Sequence, residues 1–185
     1  MALSEFALRR AALQRQLAEK KLDAFVVGFG PNVRYLTGFT GSNGMVVVLP
    51  HRAVFLTDPR YRIQAAQEVD CPARVASGPM LPHVVALLRR AKSKRVGFEK
   101  ARMSVESYQA LKDAMPMRSS LEPVAGWIER QRMLKSEQEL SAIRRSASSP
   151  ACTAPAPADS PGRSTRSPFR PSFFPARWSL AGSRA

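Results

Sequence analysis

The side chains with the most chemical potential fall in two short stretches. Asn32-Val33-Arg34-Tyr35-Leu36-Thr37-Gly38-Phe39-Thr40-Gly41-Ser42 places an amide, a guanidinium and a phenol close together, and Phe55-Leu56-Thr57-Asp58-Pro59-Arg60-Tyr61 places a carboxylate, a guanidinium and a phenol. Such groups bind and orient by charge and hydrogen bonding. Neither stretch supplies a nucleophile beside a base, since Ser42 has no histidine or lysine in its pattern. The two histidines, His51 and His83, stand alone, and a lone histidine is more often structural than a metal ligand. Asp58 and Asp70 are the nearest approach to a pair of oxygen ligands, but no further His-Glu-Glu set follows them.

Other motifs dissolve in the same way. Gly28-Phe29-Gly30 follows a strand-like run, but Pro31 removes a backbone donor and Val33 stands where a dinucleotide loop needs its third glycine. Gly41-Ser42-Asn43-Gly44 lacks the lysine of a phosphate loop and reads as a turn before a strand. Cys71 and Cys152 lie 81 positions apart with no CxxC spacing, which points to two reduced thiols rather than a disulfide framework or a zinc site. The plain roles of the two leading stretches are structural: Asn32 caps a turn, Tyr35 and Leu36 pack under a sheet, Asp58 caps a helix and Arg60 is surface charge.

The elements that must position these residues follow from periodicity and punctuation. Ser4 to Lys20 reads as a helix with Ser4 at its cap, and Phe6, Leu13 and Leu17 recur near helical spacing. Asp23–Gly28 is a β-rich run, and Asn32–Thr37 a short helical turn. Met45–Leu49 and Ala53–Thr57, separated by Pro50-His51-Arg52, make a hairpin. Pro59 opens a helix running to about Val69, with Asp58 as cap. A strand near Ala73–Ala76, a helix at Leu81–Ala91, a strand at Arg95–Glu99, a helix at Ser104–Met115 and a strand near Leu121 complete the series. Strands alternating with helices predict an α/β fold: a mixed sheet of about six strands, with four or five flanking helices. Ser136-Glu137-Gln138-Glu139 has capping-box form and starts a helix over Glu137–Ala147.

In this order and at these separations, the two leading stretches, together with Val96-Gly97-Phe98-Glu99, Ser107-Tyr108 and the set Arg130, Arg132, Leu134, Lys135, Ser136, Glu139 and Ile143-Arg144, resemble the N-terminal domain of the Xaa-Pro peptidases, the creatinase/prolidase/aminopeptidase P family. The resemblance covers residues 1–147. It implies a creatinase N-terminal, ribonuclease H-like sandwich over residues 1–132, then a linker and the first helix of the catalytic domain over 133–147. In full-length relatives the catalytic domain holds two divalent ions, manganese-, cobalt- or zinc-like, with two Asp, one His and two Glu. None of those motifs occurs here, so no cofactor and no catalytic residue is expected in this chain. The resemblance also puts Asn32, Arg34 and Tyr35, with Asp58, Arg60 and Tyr61 as a secondary set, on a loop that faces substrate or a subunit interface. It implies a homodimer, or pairing with a full-length family member.

From Ser148 the vocabulary changes. The last 38 residues hold seven prolines, eight serines, seven alanines and five arginines, a composition too poor in large apolar groups to offset chain ordering. They read as a disordered tail or an out-of-frame translation. The net charge of +15 splits into 24 basic and 13 acidic side chains before Ser148, and five and one from there on. The basic residues are spread over predicted helices and loops, so the charge implies only non-specific attraction to nucleic acid. No stretch has the length of a membrane span, and the N-terminal segment carries Glu5 and Glu19, unlike a transit peptide. The expectation is therefore a cytoplasmic, truncated Xaa-Pro aminopeptidase or dipeptidase that keeps only its non-catalytic domain and is inactive alone. The competing reading is a stand-alone binding module, serving either as a dimerisation partner of a full-length paralogue or as a basic nucleic-acid binder.

Overall fold

The computed structural model describes residues 4–148. It divides into a compact body through Glu139 and a second unit from Leu140 onward. The body builds one six-stranded sheet. Its elements in chain order are α1 (Glu5–Glu19), β1 (Ala24–Val27), α2 (Gly30–Thr37), β2 (Gly44–Leu49), β3 (Arg52–Thr57), a 3-10 turn (Pro59–Tyr61), α3 (Arg62–Glu68), β4 (Ala73–Val75), α4 (Met80–Arg90), β5 (Arg95–Glu99), α5 (Val105–Ala114), β6 (Ser120–Val124) and α6 (Trp127–Met133); α7 (Glu137–Ala147) follows.

The sheet order is β4-β3-β2-β1-β5-β6. The short turn after Leu49 forces β2 and β3 to be antiparallel, with Leu49 opposite Arg52 and Gly44 opposite Thr57. The helical crossovers make β1, β5 and β6 parallel, as helix-linked strands of one sheet generally are. Every strand except β2 therefore points the same way, and a single edge of the sheet collects the strand C-termini.

The alternation of side chains across a strand sorts the core into two faces. Phe25, Val27, Val46, Val48 and Phe55 pack with Leu13 and Leu17 of α1, Leu36 of α2, and Trp127 and Ile128 of α6. Ala24, Val26, Val47, Val54, Leu56 and Val96 pack with Val84, Leu87 and Leu88 of α4 and Leu111 of α5. All four residues of β1 are buried, as a central strand covered on both faces requires.

The local signals act as the sequence suggests at several ends. Ser4 caps α1 by accepting from the Ala7 N–H. Ser136 and Glu139 form the capping box of α7, each side chain accepting from the other's backbone N–H at 3.2 and 3.0 Å. Gly38 closes α2 at φ +80°, where a Cβ would lie 2.9 Å from the Phe6 ring as well as being strained.

Two expectations need correction, and one element is added. Residues 1–125 hold five α-helices, within the four or five expected there, and α7 lies where it is expected; the addition is α6, which carries no conventional cap residue, because Gly126 at φ +71° occupies that position. The helix expected over 59–69 is instead a 3-10 turn followed by α3. Asn32 does not cap a turn, because α2 begins two residues earlier at Gly30, with Phe29 in the cap position. The reading of residues 148–185 as a tail lies, beyond Ser148, outside the described residues, and so does Cys152; Cys71 is a free thiol.

Candidate functional site

The edge where β1, β3 and β5 end and β2 begins gathers most of the polar residues singled out by the sequence. Val27 faces Val46, Gly44 faces Thr57 and Glu99 faces Val124. Asp58, Asn43, Gly28 and Glu99 consequently follow one another along this edge.

At the β1–β5 end, Asn32 is fully buried and both of its side-chain polar atoms have partners distant in sequence. Its Nδ2 donates to Glu99 Oε1 at 2.6 Å and to Glu129 Oε1 at 2.9 Å, while Arg132 donates to its Oδ1 at 3.0 Å. The other oxygen of Glu99 accepts from the backbone N–H groups of Gly28 and Phe29 at 2.8 and 2.9 Å. Burial pushes the Glu99 carboxyl above its ordinary range; the Asn32, Phe29 and Gly28 hydrogen bonds oppose that shift, and the Glu129 charge adds to it. Arg102 lies over the Phe29 ring at 4.3 Å and 3.8 Å from Glu129. Beside this network is a cavity of about 160 Å³ lined by Phe25, Glu99, Arg102, Val124, Trp127 and Glu129.

At the β2–β3 end, Asp58 accepts from the Arg60 backbone N–H at 2.9 Å, from the Arg60 guanidinium at 2.7 Å and from Asn43 Nδ2 at 2.6 Å. The Arg60 hydrogen bond is the main cause holding the Asp58 carboxyl at about 2. Tyr61 shares a 2.7 Å hydrogen bond with Ser42 and sits edge-on to Phe39. Gly41 is squeezed between these rings, since a Cβ there would be 2.8 Å from Tyr61. The Gly38–Gly44 loop and the Asp58–Tyr61 turn are thus one packed unit, although they are far from adjacent in sequence.

The six sequence candidates therefore do not converge. Asp58, Arg60 and Tyr61 come together with Ser42 and Asn43. Asn32 joins Glu99, Glu129 and Arg132. Tyr35 lies under the Arg9 guanidinium, 3.9 Å from its ring centre, and donates no side chain to either cluster; burial raises its phenol pKa. Arg34 is exposed on α2. Glu99 and Glu129 were not singled out as site residues by sequence reasoning. The available signal was a carboxylate ending an otherwise apolar strand, Arg95–Glu99, whose last four residues are all buried.

What this edge can do chemically is hold shape and present charge. Every oxygen of Glu99 is engaged by donors, and neither histidine is near it: His83 lies 3.5 Å from the Ser77 carbonyl, and His51 is exposed in the β2–β3 turn. Asp70 is paired with Arg10 at 2.6 Å and with Ser4. Among the described residues no group of three or more His, Cys, Asp or Glu side chains is placed to hold a metal ion. The residues described here therefore do not fit the two-ion centre of the peptidases. None of their helices is long and apolar enough to cross a membrane.

The creatinase/prolidase N-terminal domain model matches residues 9–134. An uncharacterized peptidase, YqhT, of Bacillus subtilis (strain 168) is 33% identical over 136 residues, covering 73% of this chain and 38% of the relative. The N-terminal domain of the cytoplasmic peptidase PepQ from Mycobacterium tuberculosis H37Rv superposes with a TM-score of 0.62 at 33% identity, covering 66% of this chain and 97% of that one. An Xaa-Pro dipeptidase from Bacillus anthracis gives a TM-score of 0.71 at 25% identity, covering 76% of this chain and 39% of that one. The chain thus spans about two fifths of the length of the Bacillus subtilis and Bacillus anthracis peptidases. With the mixed sheet and both motif-bearing loops in place, the chain belongs to the creatinase/prolidase N-terminal domain family.

Proposed function

We propose that residues 4–148 serve as the non-catalytic N-terminal domain of an Xaa-Pro peptidase, with the metal-dependent hydrolytic step belonging to the catalytic domain of such enzymes. The observation that carries this reading is the match over residues 9–134, combined with polar clusters whose hydrogen-bonding capacity is spent internally. In this role the Asn32 and Asp58 clusters fix the shape of the sheet edge. Arg34 and Arg60, both exposed, are the members of the two motifs whose side chains remain open to substrate or a neighbouring subunit. A cytoplasmic location is part of the same reading, supported by the cytoplasmic peptidase whose N-terminal domain is 33% identical.

The test is direct. The purified 185-residue protein, loaded with Mn²⁺ or Co²⁺, releases no N-terminal residue from an Xaa-Pro peptide, because hydrolysis needs a bridging water held by several ligands. Metal-dependent turnover that survives repurification and chelator controls would overturn the reading.

A further inference from the structure

The opposite edge of the sheet has a different character. There α1, α4 and α5 end, β1, β5 and β6 begin, and β2 turns into β3. The segments that meet there, 19–23, 49–52, 89–95 and 112–122, hold ten Lys and Arg against four Asp and Glu. Lys21, Arg52, Lys92, Lys94, Arg95 and Arg118 are all exposed. Of the acids, Asp23 is turned to the backbone N–H groups of Lys94 and Arg95 at 2.8 Å, and Glu122, 3.8 Å from Arg95, offsets one of the rim's cations. The residues lie far apart in sequence, and only the topology brings them into one row.

A second observation concerns two of these lysines. Lys21 and Lys92 both adopt φ +54° and are the only non-glycine residues at positive φ among the described residues. Each follows a helix end where the next N–H closes back on the helix, Leu22 to Leu17 at 2.9 Å and Ser93 to Leu88 at 3.0 Å. Glycine is the residue that such left-handed closures favour. The chain places a cation at both. Attraction to the helix C-terminus favours a basic residue there, but it does not account for Arg52, Lys94 or Arg118, which lie beyond the helix ends.

We propose that this rim docks the phosphodiester backbone of double-stranded nucleic acid without reading its sequence. Five adjacent strands at the usual spacing make the row about 19 Å long, comparable with the axial rise of five to six base pairs at about 3.4 Å each. The loops carry no Phe, Tyr or Trp on which single-stranded bases would stack. Met117 is the one large apolar side chain fully exposed there, which falls short of the apolar insertion that a membrane surface requires.

The experiment uses the full 185-residue protein and a fluorescein-labelled 20-base-pair DNA duplex of mixed sequence, read by anisotropy from 50 to 200 mM salt. Lys21→Gly with Lys92→Gly removes two rim cations while supplying the residue that each backbone position favours. The double variant keeps or raises the thermal midpoint, binds duplex at least about tenfold more weakly at 50 mM salt, and has a log–log salt slope lower by about two. Arg62→Ala with Lys100→Ala removes the same charge away from the rim and costs less than a third of that change in slope. Equal losses in the two variants would overturn the proposal in favour of undirected net charge. A lower thermal midpoint for the glycine variant with unchanged binding would assign the lysines to helix closure alone. Stronger capture by vesicles containing anionic lipid than by duplex at 200 mM salt would also sink it.

Discussion

The two polar clusters along the C-terminal edge of the sheet are built from the same parts and behave in opposite ways. Each centres on a carboxylate that accepts from an asparagine amide and from backbone N–H groups. Glu99 is drawn above its ordinary range and Asp58 is held far below it. The difference lies in what surrounds them. Glu99 ends a buried strand, so loss of water penalises its charge more than three donors repay. Asp58 is nearly as enclosed, at 8% exposure against 6% for Glu99, but it sits in a turn where the Arg60 guanidinium gives its charge a full counter-ion. One cluster joins elements about 70 to 100 residues apart, while the other ties the Gly38–Gly44 loop to the nearby Asp58–Tyr61 turn.

Replacing Asn32 is the harshest way to test that contrast. Asn32→Ala leaves Glu99 Oε1, Glu129 and the Arg132 guanidinium without their shared partner, and Glu99 is buried. Leaving a buried charge short of its partners costs about 3 kcal/mol, measured by urea unfolding. α6 should lose amide protection along with the global loss, since Glu129 and Arg132 both lie on it. A loss below about 1 kcal/mol would mean that water or a shifted side chain fills the gap, and the network would then be no anchor.

Glu99→Gln comes next. The glutamine oxygen still accepts from Gly28 and Phe29, but its NH₂ now faces the Asn32 NH₂, a conflict worth about 1 kcal/mol at neutral pH. The pH dependence carries the sharper information. A carboxyl whose folded pKa is raised binds more protons in the native state, so stability is lost as pH rises above its ordinary value of 4.5. The parent protein should decline through that window, and the glutamine variant should be flatter across it. A parent curve that rises there would mean that the hydrogen bonds outweigh burial.

The same contrast explains what could be read from the sequence. The strands β1, β2 and β3 were legible because their apolar runs are short and clearly punctuated. The Ser4 cap and the Ser136–Glu139 capping box were legible because each is closed within three residues. The Asp58 cap, whose backbone partner is two residues away, was legible for the same reason. The Asn32 network was not, because its partners lie 67, 97 and 100 residues downstream, and residue type says nothing about a partner at that distance. Nor was α6, a seven-residue helix entered through a left-handed glycine rather than a side-chain cap.

The gentlest test acts on the Asp58 cluster. Asp58→Ala removes the acceptor for the Arg60 N–H, for the Arg60 guanidinium and for Asn43, yet the Arg60 side chain is 74% exposed and can turn to water. The stability loss should therefore be clearly smaller than that of Asn32→Ala. It should also run the other way with pH. A carboxyl held at about 2 instead of its ordinary 3.8 stabilises the native state above 3.8, and that contribution fades as pH falls toward 2. The gap between parent and Asp58→Ala should be constant at neutral pH and close on acidification, whereas the gap for Glu99→Gln varies above 4.5. The Gly38–Gly44 loop should register the change locally, through faster amide exchange at Asn43 and Gly44, while β1 and β5 stay protected. If Asp58→Ala instead destabilises the whole sheet as much as Asn32→Ala does, the two clusters form one cooperative edge, and the Arg60 counter-ion is not what separates them.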